Sequence, residues 1–166
     1  MAEKKGGGWK VAASAVGLMV VAHYMPGHHH GHGLFAHLTS AHSPAAGRAV
    51  GYAWAQVGKP YCWGGTGPSC YDCSGLVMEA YQSAGISIPR TTFDEWATLR
   101  HVSHPRPGDL VLGVGSDGTP SNPGHVGIVI SGGRVIQAYQ TGSPIDVVSL
   151  SNFASGASGI VGYARP

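Results

Sequence analysis

Residues 71–77 read YDCSGLV. A cysteine stands between an aspartate and a serine, directly before an apolar run. Asp72 is a capping residue type: its carboxylate can accept from the backbone N–H groups that a helix's first turn leaves unpaired. Leu76, Val77, Ala80, Tyr81 and Ala84 then recur at the spacing of one helix face, and Gly85 is a stop signal. The stretch therefore predicts a helix with Cys73 at its N-terminus. That cysteine can be a small buried thiol. It can also be a nucleophile, because the positive end of a helix lowers a cysteine's pKa and its free N–H groups can form an oxyanion hole.

Working outward, Ser43 before Pro44 is a helix start, and Val50, Ala53, Trp54 and Val57 follow at helical spacing up to Gly58. The glycine-rich loop KPYCWGGTGPSCY (59–71) joins this helix to the next. A third, short helix is predicted at RTTFDEW (90–96), where Thr92 and Glu95 have capping-box spacing. Beyond Pro107 the period changes. DLVLGV, HVGIVIS, RVIQAY, DVVSLS and GIVGYA are short Val- and Ile-rich runs separated by turn residues, and they read as five antiparallel strands. Helices first and strands after give an α+β fold, with N-terminal helices packed on a C-terminal antiparallel sheet.

With 166 residues the chain has room for one domain plus a short extension. Only 11% of residues are charged, 27 are glycine, and the net charge is +2. No stretch reads as a basic groove, so nucleic acid is not an expected partner. Lys4, Lys5 and Lys10 precede an apolar run at 11–22, so residues 1–22 read as a signal peptide or an N-terminal membrane anchor. The expected location is outside the cytoplasm, secreted or associated with the envelope, with a core helix of a cytosolic protein as the competing reading. Residues 23–43 read as a flexible His/Gly-rich linker; its glycines leave no fixed metal geometry, only adventitious affinity. The organised domain is expected over 44–166.

A cysteine nucleophile needs a base that later protonates the leaving amine, normally a histidine. Outside the linker there are three. His101 and His104 sit in a polar turn, and His125 opens the strand HVGIVIS. His125 then needs a group to orient its other nitrogen, and Asp109, Asp146 and Gln137 are possible. The hairpin register bears on Gln137. A two-residue Gly132-Gly133 loop pairs residues whose numbers sum to 265 and puts Gln137 on the face opposite His125. A three-residue Ser131–Gly133 loop gives a sum of 264 and puts the two on one face. Residue patterns alone permit both.

The stretches GKPYCWGG, YDCSGLV, IPRTT, PGDLV and GHVGIVI occur in the order and spacing of the NlpC-type cell-wall cysteine peptidases, which are papain-like. The resemblance covers about residues 47–164. It implies a triad of Cys73, His125 and Gln137, the last twelve residues after the histidine, and so selects the three-residue loop. It also implies that Tyr61, Asp72, Ser74 and Arg90 line the pocket for the peptide before the cleaved bond, although Asp72 as a plain cap and Arg90 in a surface ion pair are competing readings. The implied substrate is the peptidoglycan stem peptide, cut at the D-γ-glutamyl–diamino acid bond, with no cofactor or metal.

Three alternatives compete. An amidase or acyltransferase would use the same scaffold and nucleophile. A pseudoenzyme would only bind wall fragments, but the intact Cys73, His125 and Gln137 argue against it. Cys62, Cys70 and Cys73 could instead serve a zinc or thiol-redox site, although the C-x₇-C-x₂-C spacing is not a usual zinc finger. In an oxidising compartment a Cys62–Cys70 disulfide that leaves Cys73 free is the expected pairing.

Overall fold

A computed structural model describes residues 41–166, so the expected signal or anchor segment and nearly all of the linker lie outside the described residues. The chain runs α1 (Pro44–Trp54), α2 (Cys73–Ser83), α3 (Thr92–Thr98), β1 (Arg100–Val102), β2 (Leu110–Gly113), β3 (His125–Ile130), β4 (Arg134–Gln137), β5 (Asp146–Ser149), α4 (Leu150–Gly156) and β6 (Ile160–Arg165). All strand pairs are antiparallel, in the order β1-β6-β2-β3-β4-β5. No helix among the described residues is long and apolar enough to cross a membrane.

The α1 and α2 starts follow the sequence reading. Ser43 accepts from the Ala46 N–H at 3.0 Å, and Asp72 from the Gly75 N–H at 2.6 Å. Leu76, Val77, Ala80 and Tyr81 are fully buried. They face one side of the sheet, where Leu110, Leu112, Val126, Ile128, Ile130 and Ile136 join them in the main core. Strand side chains alternate between faces, so Val111, Val129 and Val135 point the other way. There they meet Phe153 and Ala157 from α4 and the residue after it. Both faces of β3 are thus covered, and all six of its residues are buried.

Three expectations need correction. α1 ends at Trp54 rather than at Gly58, because i→i+3 bonds tighten the chain into a turn there (Gln56 N–H to Ala53 O, Val57 N–H to Trp54 O). α3 is capped by Thr91, not Thr92, and Thr91 Oγ1 accepts from the Asp94 N–H at 3.2 Å. This one-residue shift turns Glu95 fully inward. A sixth strand, β1, pairs with β6, and the second half of DVVSLS leaves the sheet to form α4, capped by Ser149. Helices and strands are therefore not fully segregated along the chain. Arg100, Arg106, Arg165, His101 and His104 line one shallow cleft of about 330 Å³, where Arg165 is paired with Asp109.

One ion pair ties the last strand to the domain. Asp109 is fully buried and accepts from Arg165 Nε and Nη2, both at 2.6 Å, and from the Arg106 N–H at 2.6 Å. Breaking such a pair from one side strands a charge, which costs about 3–5 kcal/mol. Asp109→Asn is expected to lower the free energy of unfolding in urea by that order. A loss below about 1 kcal/mol would mean the pair contributes no more than an exposed one.

Candidate active site

The loop before α2 is held against the helix start from several sides. Asp72 Oδ2 accepts from the Gly64 N–H at 3.0 Å, and the Asp72 N–H donates to Gly65 O at 2.9 Å. Gly75 is required here by close approach, since a Cβ on it would lie 2.0 Å from Gly65 O. Cys62 and Cys70 are joined by a disulfide across this loop, and Cys73 is free. The three-thiol alternative thereby loses two of its donors.

Arg90 completes the cluster. Its Nη2 donates to Asp72 Oδ2 at 2.6 Å and its Nη1 to Ser74 Oγ at 2.7 Å. Tyr61, Asp72, Ser74, Arg90 and Cys73 all line one cavity of about 350 Å³, together with Trp63 and Asp117. The four expected pocket residues are therefore gathered beside Cys73. Asp72 both caps the helix and pairs with Arg90, so its carboxylate is occupied by the protein itself.

The β3–β4 hairpin pairs Ile128 with Ile136, Val129 with Val135 and Ile130 with Arg134. Each pair sums to 264, so the three-residue loop holds. Gly132 and Gly133 supply the positive φ values, 75° and 64°, that it needs. His125 and Gln137 consequently share a face, and His125 Nε2 donates to Gln137 Oε1 at 2.9 Å. An amide oxygen only accepts, so Nε2 carries the proton and Nδ1 is the free base. Phe153 stacks on the imidazole with ring centroids 5.1 Å apart, and Tyr139 meets it edge-on at 5.3 Å. Cys73 and His125 line a second, smaller cavity of about 70 Å³, with Trp63, Asp117 and Tyr139.

The resting charges differ from the simple helix-end expectation. Burial pushes the Cys73 thiol up to about 12, reinforced by Asp72 and Glu95, while backbone bonds at Val126 and Ser74 pull weakly the other way. Burial also lowers His125 below the ordinary 6.5, against the Gln137 hydrogen bond and the charges of Asp117 and Asp146, which raise it. Both shifts favour the uncharged forms, thiol and imidazole. Burial also pushes the Glu95 carboxyl well above the usual carboxylate range, and neither of its oxygens is hydrogen-bonded.

The NlpC/P60 family profile matches residues 58–157, more than half of the chain. The chain belongs to the NlpC/P60 family. It is 35% identical over 118 residues to a probable endopeptidase p60 of Listeria monocytogenes, an alignment covering 70% of this chain and 23% of that protein. This chain thus spans about a quarter of that relative's length. Among solved structures it is similar to the NlpC/p60 domain of the peptidoglycan hydrolase SagA (32% identity, TM-score 0.60, 73% of this chain and 97% of that one). It is also similar to the P60 domain of an antigen from M. avium subspecies paratuberculosis (26% identity, TM-score 0.61, 73% and 93%). The papain-like α+β fold expected from the motifs is the fold found.

Sequence reading missed Trp63, Asp117, Tyr139 and Phe153 as site residues. Phe153 had no signal, because it falls among small and polar residues between two runs that read as strands. Trp63 lies within the quoted loop, and at 77% exposure a tryptophan at a cavity rim is visible only in three dimensions.

Two outcomes are expected in the NlpC/P60 site. If His125 serves as the base, kcat/KM plotted against pH should fall on the acid side as the ring gains a proton, with a midpoint below 6.5, since a base works only unprotonated and burial lowers the pKa of His125. A midpoint at or above 6.5 contradicts burial as the dominant influence. Gln137→Ala should lower kcat by about 10–100-fold, less than removal of a general base at about 10²–10⁴-fold. Gln137→His should retain substantial activity, and a silent Gln137→Ala would place the orienting role elsewhere.

Proposed function

We propose that the protein is a peptidoglycan hydrolase, a cysteine endopeptidase in which Cys73 attacks a stem-peptide carbonyl. The observation that carries this is the placement of a free helix-N-terminal thiol in one cavity with a buried imidazole whose far nitrogen is held by an amide oxygen. His125 Nδ1 takes the thiol proton as Sγ bonds to the carbonyl carbon, then gives it to the departing amine. Backbone N–H groups at the start of α2 face the developing oxyanion. Water, deprotonated by the same imidazole, then releases the acyl group from sulfur. Gln137 keeps the ring in register throughout.

The names of the relatives, an endopeptidase and a peptidoglycan hydrolase, support this substrate class. The bond between γ-D-glutamate and the diamino acid is the one the family motifs favour, with Tyr61, Ser74 and the Arg90–Asp72 pair contacting the peptide on its amino-terminal side. An exported or envelope-associated location suits such a substrate, as does the disulfide. An amidase or acyltransferase would use the same attack and differ only in products.

Digesting purified muropeptides and weighing the products by mass spectrometry tests the reading. New amino termini at the diamino acid are expected, and Cys73→Ala should abolish them while leaving the melting temperature nearly unchanged. Full activity in that variant sinks the mechanism. Cleavage between sugar and peptide instead establishes the amidase.

A further inference from the structure

The group that orients His125 is a neutral amide. It can fix an imidazole but cannot offset the positive charge that the ring acquires when it takes the thiol proton. The sheet puts a carboxylate directly behind that amide. In the β4–β5 pairing Gln137 stands opposite Asp146. Directly opposed residues project from the same face, with Cβ atoms about 4.5–5.5 Å apart. Gln137 is therefore flanked by His125 on one side, at 2.9 Å through Oε1, and by Asp146 on the other. Because Oε1 is committed to His125, the NH₂ end of the amide is directed away from the ring.

Asp146 Oδ1 is buried and accepts no hydrogen bond. Buried acceptors are nearly always satisfied, and an orphan calls for an explanation. The charged and titratable groups around His125 among the described residues are the Cys73 thiol from α2, Tyr61 from the loop before it, Asp117 from the loop after β2, Tyr139 just after β4, and Asp146 from β5. Among the described residues, no lysine or arginine lines the cavity that His125 shares with Cys73.

We propose that Asp146 is a positioning residue for the His125–Gln137 pair. It draws the NH₂ end of Gln137 toward itself, which keeps Oε1 on the imidazole Nε2–H. It also supplies the negative charge that stabilises the imidazolium formed when Cys73 Sγ passes its proton to Nδ1. Asp146 neither gains nor loses a proton in the step. An aspartate, an amide and an imidazole in series thus do what a carboxylate does by direct contact in other triads. The electrostatic direction agrees, since Asp146 and Asp117 both raise His125 against its burial.

This inference rests on the reading of Cys73 and His125 as the attacking pair, so the test has an arm that does not use activity. Asp146→Asn keeps the shape and removes the charge. In the Cys73→Ala background, an NMR titration of the His125 ring should show its pKa fall on Asp146→Asn. In the active enzyme, the same change should lower kcat about tenfold, the equivalent of one pKa unit, with KM nearly unchanged and the acid limb moved to lower pH. In a Gln137→Ala background the further loss in kcat should be much smaller, since the connecting amide is gone. An unmoved His125 titration, or an equal loss in both backgrounds, overturns the proposal. So does a fall in melting temperature alone, which would mark Asp146 as merely structural. If Cys73→Ala stays active, the peptidase reading fails, while the titration still decides the role of Asp146.

Discussion

The Asp72 carboxylate is the point on which the site turns. One oxygen caps α2 through the Gly75 N–H, and the other takes the Gly64 N–H and the Arg90 guanidinium. A helix start, the preceding loop and Arg90, far along the chain from Cys73, are thereby fixed to one group. Charge-assisted bonds of this kind are short and directional. They set where Cys73 sits more firmly than the cap alone could, and Gly75 lets the loop backbone close on the helix. The pocket walls are then a consequence: Tyr61 and Trp63 come from the held loop, and Arg90 comes with its ion pair.

The second constraint is the sheet. β3 is buried on both faces, so its register is fixed by packing: a slip of one residue would exchange its two faces and put side chains of the wrong size and polarity, His125 and Gly127 among them, into the main core. His125 occupies the first position of that strand, beside Phe153 and Tyr139. A histidine there is dry, and its basicity is set by the few polar groups that reach it. The helix end, in turn, contributes donors to Cys73, but they do not overcome the loss of water around the sulfur.

Much of this was legible in the sequence, for reasons particular to each part. The starts of α1 and α2 were readable because Ser43-Pro44 and Asp72 are local capping chemistry. The strands at 110–113, 125–130 and 134–137 were readable because Val and Ile runs between glycines have few other uses. Gln137, Asp109 and Asp146 could not be told apart as candidate orienters from residue types; in the structure the hairpin register brings Gln137 to His125, and Asp109 is bound to Arg165. The helix at 150–156 was unreadable because VVSL suits a strand until Ser149 caps the chain. The order of the strands, the burial of Glu95 and the cleft around Arg100 depend on contacts between distant segments and left no local mark.

The upward push on the Cys73 thiol also bears on the survival of the molecule. Cys70 lies three residues away and is locked in a disulfide with Cys62. A standing thiolate attacks disulfides and is the form that peroxides oxidise, whereas a protonated, desolvated thiol is slow at both. An ionised sulfur at this position would invite exchange with its neighbour and scramble the loop that shapes the pocket. In the mechanism proposed above, a sulfur that keeps its proton until a carbonyl and His125 Nδ1 are both in place would stay unreactive in between, and an oxidising environment could then hold one pair of cysteines joined without consuming the third.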